Sequence, residues 1–174
     1  MNLFPWFLFA HVLGAIMAFG ASYSAFPLIG AMSGKEPAHG NFGARVSHAI
    51  STKFVRPLAI LQGITGVALI WLAQIDLTKA VWLDVAIVLY LIAIGYALFV
   101  QIPLGARLVE LTSGGPPSAP RGPADAAGAP SAPSGPPPGP PPGLMEAASK
   151  ARRGGAFLAI MITAIVFLMV VKPF

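Results

Sequence analysis

The stretch Leu3 to Met32, LFPWFLFAHVLGAIMAFGASYSAFPLIGAM, contains no Lys, Arg, Asp or Glu. About 20 apolar residues suffice to cross a hydrocarbon core, so this run spans a bilayer with length to spare. It carries one histidine deep inside it, His11. At helical spacing His11 shares its face with Gly14, Ala15, Ala18 and Ser22, all small. Small side chains let a second backbone or a flat ligand come close, and an imidazole in hydrocarbon turns towards the helix bundle. Two readings follow for His11: a haem or metal ligand, or a hydrogen-bonded packing histidine.

Composition extends that reading to the whole chain. Of 174 residues, 56% are hydrophobic and only 10% charged, where an ordinary soluble domain carries about a quarter charged residues. The chain is expected to be an all-α integral membrane protein, a bundle of four transmembrane helices with a disordered Pro/Gly-rich cytoplasmic loop. There is no cysteine, which excludes disulfides, thiolate catalysis and Cys-ligated iron–sulfur clusters. The first residues hold no basic segment and the apolar run outlasts a signal-peptide core, so an uncleaved span is expected.

Four spans are expected at about 3–32, 54–75, 81–102 and 156–171. Residues 1–113 then hold the first three, 114–143 a linker, and 144–174 a short helical lead followed by the fourth. Before the second span, Phe42, Val46, Ala49 and Ile50 recur at helical spacing and suggest a short interfacial helix. Arg56-Pro57 suits a first helical turn. His39 and His48 read as solvated, with no ligand spacing joining them to other residues. In the second span Gln62, Gly63 and Gly66 share a face that should be buried, with Gln62 as interhelical glue. Trp71 and Trp82 flank the turn between spans two and three as belt residues. Asp84 is a rim charge. Residues 114–143 hold twelve prolines and seven glycines, without an aromatic or large aliphatic residue. Such a segment has nothing to bury and is expected to be disordered.

Charge fixes an expected orientation. Lys35, Arg45, Lys53, Arg56, Arg107, Arg121, Lys150, Arg152 and Arg153 fall on or beside the two longer loops, against Lys79 and Lys172 on the other side. The positive-inside rule therefore places both long loops in the cytoplasm and both termini outside, in a bacterial cytoplasmic membrane. The net charge of +5 follows from topology and anionic lipid contact and points to no nucleic acid. Counting from the outer ends, His11, Gly66, Tyr90 and Thr163 fall at similar heights.

Phe9-Ala10-His11-Val12-Leu13-Gly14-Ala15-Ile16, Arg56-Pro57 with Gly63-Ile64-Thr65-Gly66, Gly105-Ala106-Arg107-Leu108 and the closing Met169-Val170-Val171-Lys172-Pro173 resemble a bacterial family of four-span membrane proteins of unknown function. The two ends are also similar to the haem-dependent membrane protoporphyrinogen oxidases and, more distantly, to CopD-like copper-resistance membrane proteins. Ala18-Phe19 stand where those families commonly carry a tryptophan after the histidine. The resemblance implies haem b on His11, with Gly14 and Ala18 beside it and Lys172 near a propionate or a substrate carboxylate. It thus implies membrane redox or porphyrin chemistry. The alternatives are a non-catalytic accessory or assembly subunit of a larger membrane complex and a copper-handling membrane protein, the latter resting on His11 and six methionines. Expected partners are the lipid bilayer and either a second copy of the chain or a larger membrane complex.

Overall fold

A computed structural model describes residues 2–35, 39–113 and 141–173. Among the described residues four long helices dominate: α1 (Phe4–Met32), α2 (Gly40–Leu72), α3 (Val81–Ser113) and α4 (Leu144–Val171). All four are long and apolar enough to cross a membrane. The chain is therefore an all-helical integral membrane protein. The expected linker lies outside the described residues except for 141–143, where Gly143 takes a positive φ of 83° immediately before α4.

At 1.5 Å per residue these helices run about 42–50 Å, well beyond a hydrocarbon core of ~30 Å. The surplus gathers at one end of the bundle. The Gly40–Ile50 part of α2 packs there on the Ile102–Ser113 part of α3. Asn41 Nδ2 donates to Thr112 Oγ1 (3.1 Å) and Ser113 Oγ (2.9 Å) across that contact. The segment read from sequence as a separate interfacial helix is thus the first part of α2, continuous with its span. The polar residues at the ends of α3 and α4 continue their helices in the same way.

Three helices carry a wide π turn, and in each the turn is followed by Xaa-Pro: Ala21–Ala25 before Phe26-Pro27, Ser51–Val55 before Arg56-Pro57, and Ala97–Gln101 before Ile102-Pro103. A proline inside an α-helix lacks its N–H, and its ring strikes the carbonyl four residues back. For these prolines that carbonyl belongs to Tyr23, Lys53 or Phe99, each inside a π turn, where an i→i+5 bond widens the backbone. Pro57 is therefore an interior residue of α2 and not a first-turn residue, because the helix has already run from Gly40.

The packing is that of a protein solvated by lipid. Helix contacts are made mostly by small residues: Gly14, Ala21, Gly43, Thr65, Ala86, Ala93, Ala147 and Gly154 are buried, with Leu83 and Leu168 beside them. Large apolar side chains such as Ile64, Val67, Leu91, Ile160 and Val170 point outward. Lipid tails are as apolar as leucine, so sequestering leucine brings little, and close backbone approach drives association instead. Neighbouring helices meet through polar contacts as well. Tyr90 Oη of α3 donates to the Ala59 carbonyl of α2 (2.8 Å), and Gln101 Nε2 of α3 donates to the Ala151 carbonyl of α4 (3.0 Å). Tyr23 Oη of α1 reaches the Ala159 carbonyl (2.7 Å) and Thr163 Oγ1 (2.5 Å) of α4.

Candidate functional site around His11

His11 stands two turns into α1, where α1 lies against the second half of α2. Its Nδ1 is 2.8 Å from Thr65 Oγ1, and Thr65 is only 3% exposed. The threonine hydroxyl has one proton, directed back along its own helix to the Leu61 carbonyl at 2.9 Å, with the Gln62 carbonyl at 3.2 Å. With its proton on the Leu61 carbonyl, Oγ1 is an acceptor for His11, an arrangement that goes with the Nδ1–H tautomer of the imidazole. Nε2 is left with its lone pair.

Glycines bring the two helices close enough for this bond. A methyl group at Gly66 would stand 3.5 Å from His11 Cε1, and one at Gly14 would stand 3.0 Å from Gln62 Oε1. The Gly14 side of the small-residue face is thus filled by Gln62, whose Oε1 is buried without a hydrogen-bond donor among the described residues. Gln62 therefore packs on Gly14 of α1, and no interhelical hydrogen bond from its side chain appears among the described residues, so the expected polar glue is replaced by close packing. On the other side of α2, Gly63 lies under Tyr90, where an added methyl would meet Oη at 2.5 Å.

The other residues singled out from sequence sit as follows. Ala18 is half-buried, and its carbonyl accepts from Ser22 Oγ at 3.1 Å. Lys172 caps α4 in a left-handed conformation, φ 48°, with Nζ 5.3 Å from the centre of the Trp82 ring at the start of α3. That cation–π contact is its partner in the structure. Thr163 is bound by Tyr23, twelve residues beyond His11 on α1, and does not join the His11 layer. His48, read as solvated, is half-buried: its Nδ1 would stand 3.2 Å from a methyl at Gly105 on α3. Among the described residues no three His, Asp or Glu side chains converge on a common point. Asp84 is exposed in the first turn of α3, where a negative charge suits the helix dipole.

Sequence reasoning missed Thr65. The available signal was its place three residues after Gln62 and just before Gly66, a hydroxyl within the glycine-rich face of an apolar span.

No curated protein and no solved structure matches the chain. The model of a family described as predicted integral membrane protein (DUF2269) matches residues 6–115, which take in α1, α2 and α3. The chain belongs to this family of integral membrane proteins.

Proposed function

We propose that the protein binds haem b through His11 Nε2 and serves membrane redox or porphyrin chemistry. One observation carries this reading: the 2.8 Å pairing of His11 Nδ1 with Thr65. Histidine ligands to metals characteristically donate their second ring N–H to a neighbouring acceptor, which fixes the tautomer and ring orientation. The donor chemistry of His11 fits that role. Because Gln62 occupies the Gly14 side, the approach this reading needs runs past Ala15 and Ala18. Gly14 then acts by keeping α2 near enough for Thr65 to hold the ring. Lys172, at the end of α4, would meet a propionate or substrate carboxylate by exchanging its contact with Trp82 for a charge-assisted bond. The bound iron would supply one-electron chemistry.

The orientation belongs to the same proposal: long connections in the cytoplasm and termini outside a bacterial cytoplasmic membrane, as the nine-to-two division of basic residues indicates. A second reading has its own observation. Gly14 against Gln62 and Gly66 against His11 are also what a packing histidine needs, and favour a non-catalytic subunit of a larger membrane complex. The absorbance spectrum of detergent-purified protein separates the two, because only the first carries a pigment that His11→Ala removes.

A further inference from the structure

At the end of the bundle where the helices outrun the hydrocarbon, α3 and α4 are pinned together beside Gly154. A methyl there would meet Tyr96 Oη at 2.6 Å and would also strike Gln101. Tyr96 and Phe157 stack edge to face with centroids 5.0 Å apart. Next to this clamp, where the Ala97–Gln101 π turn meets Pro103, the two helices border an open cavity of about 490 Å³. Its floor includes Phe99, Val100 and Leu104, and its rim is Arg107, Lys150 and Arg153. We propose that this cavity binds an anionic phospholipid, with acyl chain on the apolar floor and phosphate at the three cations.

Depth supports the assignment. Phe99 is 82% exposed and Val100 43%. Both end the apolar run of α3, so the floor is continuous with the lipid-facing surface. Arg107 lies eight residues further on, about 12 Å along the helix axis. On α4, Lys150 and Arg153 immediately precede the apolar run that begins near Ala156. The cavity thus passes from the last hydrocarbon layer into the headgroup layer, as a phospholipid does. A free phosphate would leave the floor unused.

Charge supports it too. Glu146 is the opposing group: it holds Lys150 at 2.7 Å and lies within electrostatic reach of Arg107. Both partners of that ion pair are largely exposed, so a phosphate can compete for the lysine. Arg153 has no carboxylate partner among the described residues. The lining holds three cations and no carboxylate, and Glu146 and Glu110 beside it leave the rim net positive; basic pockets between transmembrane helices are recognised headgroup sites.

The test uses the delipidated full chain in detergent, with bound lipid counted by native mass spectrometry. Phosphatidylglycerol and phosphatidylcholine of identical acyl chains are offered at equal concentration. The wild type should retain phosphatidylglycerol in preference by a factor on the order of 10. R107Q/R153Q should abolish the preference and R107K/R153K should keep most of it. R45Q/R56Q, the same charge change on exposed residues of α2, should leave it intact. Leu104→Trp, which fills the floor, should reduce phosphatidylglycerol retention without any change of charge. Equal retention of the two lipids by the wild type would overturn the proposal. So would equal losses in the α2 and cavity variants, or displacement of the lipid by millimolar inorganic phosphate, which would make this a free-anion site.

Discussion

His11 Nδ1 and Thr65 Oγ1 meet at 2.8 Å between α1 and α2, and the threonine proton is turned back to the Leu61 carbonyl. One side chain thereby holds the imidazole in orientation and, with its own proton on the Leu61 carbonyl, offers an acceptor to Nδ1–H. The bond also joins two helices that approach through Gly14 and Gly66, with Gln62 packed on Gly14 beside it.

Thr65→Val keeps the shape and removes the acceptor, leaving a donor stranded in an apolar interface. We expect a loss of ~1–2 kcal/mol, near the upper range for interhelical hydrogen bonds in membranes. Thr65→Ser should stay within ~0.5 kcal/mol of wild type, because the hydroxyl remains. Reversible unfolding in mixed dodecyl sulfate micelles checks both.

Gly154 and Gly155 form a matched pair. A methyl at Gly154 meets Tyr96 and Gln101, whereas one at Gly155 meets nothing within 4 Å. Gly154→Ala should therefore cost ~1–3 kcal/mol by overpacking the α3–α4 contact. Gly155→Ala should be neutral or slightly stabilising through helix propensity. Thermal melts of the two variants in the same detergent compare them directly, and equal melting temperatures would contradict the packing described.

Asp76 supplies a pH response outside the spans. Hydrogen bonds from Thr78, from its hydroxyl at 2.6 Å and its amide at 3.1 Å, hold the carboxyl below its ordinary value of 3.8, and Lys79 at 3.4 Å adds to them. A group whose folded pKa is depressed stabilises above the unfolded value and loses that contribution as pH falls through the folded value. The turn at Leu77–Lys79 should thus be intact at pH 5 and loosen below 3.8. Hydrogen exchange at the Thr78 amide should quicken beyond its intrinsic pH dependence in that window, and Asp76→Asn should remove the effect.

The fold was legible because its cause is compositional. Long uncharged runs at Leu3–Met32 and beyond leave little choice but spanning helices, and short polar turns impose antiparallel neighbours. Helix ends were less legible. The apolar run marks where lipid ends, while the helix continues through Gly40–Ile50 and Ile102–Ser113 on helix–helix contact, which one strand of sequence does not display. Pro57 misled for a related reason: a proline marks either a first turn or an interior π turn, and only the backbone before it decides. His11 and Gly66 could be placed at one height by counting, but the rotation that brings Thr65 to Nδ1 could not. Thr163 failed the same count because helix tilt and stagger are set by packing, and its hydroxyl went to Tyr23.

Orientation can be read chemically because the chain has no cysteine. A single cysteine introduced at Ser118 should react with a membrane-impermeant maleimide only after the cytoplasmic face is opened. One at Asn2 should react in intact cells. The reverse pattern would invert the topology.

The most direct measurement is the visible absorbance of wild-type and His11→Ala protein purified from haem-replete cells. Loss of a polar group does not weaken partitioning of a span into the bilayer, so the variant should insert normally. The account predicts a Soret band in the wild type and none in His11→Ala, at equal yield of folded protein. A colourless wild type, or a band that survives in His11→Ala, would contradict it.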